Sequence, residues 1–155
     1  MSVLKVHYFL WFGALSGIMP FVSVFVTAHS IATIQDVGVL YFVLPFIVSI
    51  TKPLFCSIAD RNNSHKKVLI VSIIVTIVGY GLLLTTLYVK MGRFTWYWFC
   101  FLMFLANSGQ GVVICLNDYL VMKEVTELNK SFGSYRVFGT LGWGGIGMSS
   151  DWEFT

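Results

Sequence analysis

Charged side chains are scarce in this sequence: Asp, Glu, Lys and Arg together make up 11% of its 155 residues. A water-soluble domain carries roughly 25%. Hydrophobic residues instead reach 57% and aromatic residues 17%. These proportions exclude an ordinary soluble domain and indicate a chain whose surroundings are largely lipid, so we expect the lipid bilayer to be its first partner.

A basic surface is also missing. The ten Lys and Arg residues exceed the seven Asp and Glu residues by only three, and they are scattered along the chain. A nucleic-acid-binding domain needs its basic residues clustered on one face. We therefore expect no nucleic-acid partner.

Cysteine and histidine are too few and too far apart for a metal or catalytic centre. The cysteines are odd in number and follow no disulfide or zinc spacing; they are Cys56, Cys100 and Cys115. The histidines, His7, His29 and His65, lie in different regions. A membrane enzyme would need a paired base and acid within a span. We expect no metal, no cofactor, no catalytic residue and no enzymatic activity.

Long apolar runs are abundant. A helix needs roughly 20 mostly apolar residues to cross about 30 Å of hydrocarbon. Four runs meet this length, at 6–27, 37–58, 68–88 and 94–116. The first run is too long for a secretory signal, so we interpret it as a retained helix. A fifth run, 137–148, is too short to span, and we interpret the polar tail 149–155 as a truncation artefact.

The basic residues predict the orientation in the membrane. Cytoplasmic loops retain positive charge. A cytoplasmic N-terminus places seven basic residues inside, namely Lys5, Arg61, Lys66, Lys67, Lys123, Lys130 and Arg136. Only Lys90 and Arg93 fall outside. We therefore expect a multi-pass membrane protein with its N-terminus in the cytoplasm.

Polar residues within the predicted spans require an explanation, because inserting an ionisable side chain into the membrane costs about 2.5–3.5 kcal/mol on insertion scales. Lys52 either extends its ammonium to the interface or faces a water-filled path. His7 has an interfacial role or couples a proton. Asn107, Gln110 and Asp118 recur at helical spacing and share one face. Contact with a solute and hydrogen bonding between helices both explain that face.

The loop at 56–67 resembles the signature loop of the major facilitator superfamily. Asp60, Arg61, Lys66 and Lys67 match its Asp-Arg pair and basic cluster, whereas Cys56 and Asn63 replace two glycines. The resemblance implies a gating loop in which the Asp60 and Arg61 charges pair in one conformer and separate in the other. A plain positive-inside loop is the alternative.

The segment 132–144 resembles the start of the fifth helix in lactose/proton and nucleoside/proton symporters. In the lactose symporters an arginine there pairs with a carboxylate at the end of the fourth helix, and both bind sugar. The resemblance implies that Asp118 and Arg136 bind substrate, with Gln110 and Asn107 as further candidates. A simple ion pair in the headgroup zone is the alternative. The segments 56–67 and 132–144, together with the opening 6–14, look closest to the major facilitator superfamily domain-containing protein 6 branch.

The resemblance implies an all-α membrane protein with the N-terminal part of a fold that has twelve helices in two six-helix bundles. Residues 1–148 supply four transmembrane helices and a truncated fifth, so the second bundle is the missing partner. The implied function is secondary transport of a small polar solute, sugar- or nucleoside-like, by alternating access with a proton as coupling ion. The alternative is a transporter-shaped receptor or scaffold that binds a protein ligand without transport.

Overall fold

The computed structural model describes residues 3–88, 93–128 and 131–150. The apolar runs contain glycines but no acidic residues in their middle. They form helices here because a helix satisfies its own backbone hydrogen bonds in lipid. The described residues form five α-helices and one short 3₁₀ helix. They are α1 (Val3–Ala28), α2 (Ile34–Arg61), α3 (His65–Leu82), the 3₁₀ helix (Leu83–Leu87), α4 (Arg93–Leu128) and α5 (Gly133–Ser150).

The expected all-α membrane architecture is confirmed. Within the described ranges, four helical stretches are long and apolar enough to cross a membrane; they are Val3–Ala28, Ile34–Arg61, His65–Thr86 and Arg93–Leu128. Large apolar side chains on these helices point outward, with Phe42 71% exposed and Ile77 63% exposed. Such surfaces are stable against lipid rather than water, so the helices require a bilayer.

Helix α4 extends beyond its predicted span. The apolar run predicted an end at residue 116, but the helix continues to Leu128. At 1.5 Å per residue its 36 residues measure about 54 Å, much longer than the hydrocarbon layer. The extension is helical because Val121 and Val125 place one face in a core with Tyr8 and Tyr135. Hydropathy locates the bilayer crossing and not the end of the helix.

Helix α5 also exceeds the predicted 137–148. It begins at Gly133 and its backbone stays helical through Ser150. Tyr135, in the first turn, is fully buried, and this packing fixes the helix start upstream of the apolar run. The sequence predicts Ser149 in a polar tail, but its backbone belongs to the helix. The remainder of that tail, 151–155, lies outside the described residues.

The two ends of α2 follow from local side-chain chemistry. Thr33 and Asp36 form a capping box, in which Asp36 accepts from the Thr33 N–H at 3.1 Å and Thr33 accepts from the Asp36 N–H at 3.3 Å. Beyond the other end, Asn63 adopts a left-handed φ of 47°. Asparagine tolerates this conformation better than other residues with a side chain. Asn63 can therefore replace the turn glycine of the signature loop.

The chain divides into two compact units. The first comprises Met1–Phe25 with Asn117–Thr155, and the second comprises Val26–Leu116. In the second unit α3 and α4 approach closely through small residues. A Cβ on Gly79 would lie 2.8 Å from the Ala106 Cβ, and one on Gly109 would lie 2.7 Å from the Thr76 hydroxyl. Close packing of small residues is the usual way to join membrane helices.

Candidate functional site

A carboxylate, a guanidinium and a phenol meet in the first unit, on three different helices. Asp118 of α4 lies 3.8 Å from Arg136 of α5, measured between Oδ2 and Nη2. The hydroxyl of Tyr8, on α1, donates a hydrogen bond to the other carboxylate oxygen, Oδ1. The sequence-based pairing of Asp118 with Arg136 is thus present. Both side chains remain accessible, at 34% and 64% exposure, so a ligand can reach their unused donor and acceptor positions.

Arg136 and Tyr8, the two partners of Asp118, line an open cavity of about 380 Å³, and Asp118 itself is not among the lining residues. The size of the cavity falls within the usual range for small-molecule sites. Its lining residues are Tyr8, Phe12, Arg136, Gly139, Thr140 and Trp143. Aromatic rings offer flat apolar faces, while the guanidinium offers a planar fork of donors. This combination suits a ligand that has an apolar face and several hydroxyl groups.

The position of Arg136 depends on close packing of α5 against α1. A Cβ on Gly142 would lie 2.2 Å from the backbone oxygen of Phe9, so only glycine fits there. One turn closer to Arg136, a Cβ on Gly139 would lie 3.0 Å from the Phe12 ring. These two glycines let the helices approach closely enough for Tyr8 and Arg136 to reach the same carboxylate.

Tyr135 anchors the first turn of α5. Its buried hydroxyl donates to Glu124 of α4 at 2.9 Å. The ammonium of Lys5, on α1, lies 5.0 Å from the centre of the Tyr135 ring, within cation–π range. Tyr135 therefore links all three helices directly beside Arg136.

A second polar contact joins α1 and α4 in this unit. His7 Nε2 lies 3.1 Å from Asn117 Oδ1, which requires a hydrogen on Nε2 because the amide oxygen only accepts. The His7 ring stacks on Trp11 with 6.4 Å between ring centres. Asn117 is 1% exposed. His7 thus has a buried partner within the helix pair, beyond the two roles that the sequence suggested for it.

The other two candidate substrate contacts, Asn107 and Gln110, belong to the second unit. Asn107 is buried and donates to the backbone oxygen of Met103, one turn earlier, at 2.8 Å. Gln110 accepts a hydrogen bond of 2.8 Å from the hydroxyl of Tyr80 on α3. These contacts match the alternative interpretation, hydrogen bonding within and between helices. The structure does not place either residue in the lining of the cavity beside Asp118 and Arg136.

The signature loop places a histidine beside Asp60. The Asp60 carboxylate lies 3.6 Å from His65 Nδ1, and no ion pair joins Asp60 to Arg61 in the described part of the loop. The gating pair of Asp60 and Arg61 stays a prediction. Adjacent residues on a helix do not face each other. Arg61 is the last residue of α2. Lys66 and Lys67 lie exposed in the first turn of α3.

Sequence reasoning missed two further contacts in the second unit. The free thiols of Cys56 and Cys115 are 2.7 Å apart between Sγ atoms, although the cysteine spacing suggested no pairing. Lys52 packs over Gly111: its Cε would lie 3.1 Å from a Cβ at that position. Both contacts join α2 to α4. Their residues are far apart in sequence, and no single-sequence pattern links them.

Four helical stretches long and apolar enough to span a membrane, together with the paired Asp118 and Arg136, define a multi-pass membrane protein with a polar site. The chain belongs to the MFS_1 like family, whose model matches residues 1–155. The expected major facilitator assignment is confirmed at this level.

Two curated transport proteins are similar to the chain. The maltose permease of Geobacillus stearothermophilus is 22% identical over 151 residues, covering 97% of this chain and 36% of the permease. The uncharacterized transporter YwbF of Bacillus subtilis (strain 168) is 25% identical over 144 residues, covering 92% and 34%. The chain therefore spans about a third of the length of these relatives. No solved structure matches it.

Proposed function

We propose that the protein containing this chain is a secondary transporter that moves a small polar solute by alternating access. The observation that carries the proposal is the cavity beside the Asp118–Arg136 pair. Here the two groups leave part of their hydrogen-bonding capacity open beside a cavity of about 380 Å³.

The lining chemistry favours a solute with several hydroxyl groups, such as a sugar or a nucleoside. Arg136 supplies donors and Asp118 supplies acceptors, so together they can orient a diol. Trp143, which is 43% exposed, offers its ring face to the apolar side of a sugar or to a base. One relative is named a maltose permease, which supports the same class of solute. The assignment of the chain to the major facilitator superfamily domain-containing protein 6 branch remains a prediction.

We extend the proposal to the driving force and the gate. A proton is the proposed coupling ion, because a carboxylate and an imidazole, those of Asp118 and His7, lie in the unit that holds the cavity. The gate is the signature loop, where Asp60 and His65 are paired in this conformer. Arg61, Lys66 and Lys67 offer Asp60 other partners when α2 and α3 move. The proposed orientation has the N-terminus in the cytoplasm.

Uptake by cells that express the protein tests this proposal. A panel of radiolabelled sugars and nucleosides is compared between wild type and Asp118→Asn, at equal surface abundance. We expect at least one solute to accumulate, and Asp118→Asn to lower its uptake by roughly tenfold, the effect of about 1.4 kcal/mol. Glu127→Gln removes an exposed carboxylate from the same helix and is the matched control. Equal uptake by the two variants would refute the role of Asp118.

A further inference from the structure

An apolar groove with one charged residue lies in the second unit. Its volume is about 360 Å³, and its lining comprises two residues of α2, five of α3 and four of α4. Ten of these residues are apolar side chains, serines or a glycine, and the remaining one is Lys67. The groove is separate from the cavity beside Asp118, because all its lining residues belong to the second unit.

The groove has a polar end and an apolar end. Lys67 lies in the first turn of α3, and Val75 lies eight residues further along the same helix. This separation corresponds to about 12 Å along the helix axis. Helix α3 is part of a candidate span, so we infer that Lys67 lies near the membrane interface and Val75 within the hydrocarbon layer.

The groove opens on an apolar surface that is exposed in the described part of the chain. Three of its residues are large, apolar and well exposed: Phe55 at 45%, Ile58 at 48% and Val71 at 58%. In a bilayer, an acyl chain is the molecule that fills such a groove at low cost, because neither partner has to lose water.

The charge at the polar end selects an anion. In the described part of the chain, Lys67 forms no ion pair with a carboxylate. The first turn of α3 contains no acidic residue, although the positive end of the helix dipole favours negative charge there. A phosphate at the mouth of the groove would be attracted by both the ammonium and the helix end.

We propose that this groove binds an anionic glycerophospholipid, with one acyl chain along α3 and α4 and the phosphate on Lys67. The groove is long and apolar, and its single cation stands at the interface, so its shape and its charge both match this ligand. The lipid would bridge α2, α3 and α4 at the base of the signature loop. On the side that we propose to be cytoplasmic, membranes are rich in anionic lipids.

Native mass spectrometry of the purified full-length protein tests the site. Palmitoyl-oleoyl phosphatidylglycerol is compared with the phosphatidylcholine that carries the same chains. We expect preferential retention of phosphatidylglycerol. Lys67→Gln lowers that retention about fivefold, which corresponds to about 1 kcal/mol for one basic residue near the surface. Lys66→Gln removes the same charge one residue away, outside the groove lining, and changes retention less than twofold.

Variants that fill the groove with larger side chains provide a second test of the proposal. Ser108→Leu places a larger side chain in the lining, and Val71→Phe does so from an exposed position that tolerates the change. Both variants are expected to reduce retention of both lipids, because they occupy the space of the acyl chain. Equal effects of Lys66→Gln and Lys67→Gln would overturn the proposal in favour of diffuse surface charge. Unchanged retention in the filled variants, or another part of the protein covering the groove, would also overturn it.

Discussion

The hydroxyl of Tyr8 donates a hydrogen bond to the carboxylate of Asp118, 110 residues further along the chain. Arg136 approaches the other oxygen of the same carboxylate. Asp118 is therefore held from two sides, by a neutral donor and by a cation. A carboxylate with two partners keeps a fixed orientation and can exchange one partner for a solute hydroxyl without losing the other.

The first prediction concerns this hydrogen bond. Tyr8→Phe removes the donor and keeps the buried ring. We expect a loss of about 1–2 kcal/mol in the free energy of unfolding, because a hydrogen bond to a charged group is lost. The KM for the solute should rise, since Asp118 is less well oriented. Thermal unfolding and uptake kinetics measure the two effects.

Tyr97→Phe is the matched control for that experiment. Tyr97 lies on α4 in the second unit and is 66% exposed, so the loss of its hydroxyl should change neither quantity. If Tyr8→Phe behaved like Tyr97→Phe, the hydrogen bond to Asp118 would have no energetic role.

The second prediction concerns the contact of α5 with α1. Gly142→Ala introduces a Cβ that would lie 2.2 Å from the backbone oxygen of Phe9. The helices must separate, and we expect a destabilisation of about 1–3 kcal/mol, as for other overpacked sites. Gly144→Ala meets nothing within 4 Å and should be neutral, or stabilising through its higher helix propensity. Thermal unfolding midpoints that rank the two variants in the opposite order would refute this packing.

The third prediction concerns the thiols of Cys56 and Cys115. Diamide should oxidise them to a disulfide within one chain, taking up the two electrons and two protons that the thiols release. Mass spectrometry of a non-reduced digest would identify the cross-linked peptide. Cys100→Ser should leave the product unchanged and Cys115→Ser should abolish it. A cross-link between Cys56 and Cys100 instead would contradict the register in which α2 packs against α4.

The fourth prediction concerns orientation. In a variant whose native cysteines are replaced by serine, Ser30→Cys lies between α1 and α2, and Ser64→Cys lies between α2 and α3. A membrane-impermeant maleimide added to intact cells should label the first variant and should label the second only after permeabilisation. This pattern follows from the positive-inside rule applied to Arg61, Lys66 and Lys67. The reverse pattern would place the N-terminus outside.

The membrane fold could be predicted from the sequence because lipid imposes a length and a composition on each spanning helix. The end of α4 could not, because Val121 and Val125 extend the helix through tertiary packing and not through hydropathy. Asp118 and Arg136 could be predicted as a pair from their positions at the ends of neighbouring spans and from the resemblance. Tyr8 was not, since no local pattern connects α1 with a residue 110 positions away.

The signature loop shows a second kind of contact that could not be predicted from the sequence. Motif matching identified Asp60, but its partner in this structure is His65, a residue outside the matched pattern. Partner choice depends on the turn at Asn63, whose left-handed conformation brings the start of α3 back towards Asp60. Backbone geometry of this kind becomes visible only in three dimensions.

Solute protection of a cysteine in the cavity tests the central claim most directly. Thr140→Cys places a thiol in the cavity lining, whereas Val137→Cys places one on an exposed part of α5 outside the lining. The transported solute, at ten times its Kd, should slow maleimide labelling of Thr140→Cys about tenfold through occupancy. Labelling of Val137→Cys should not change. Equal labelling of Thr140→Cys with and without solute would contradict the assignment of this cavity as the solute site.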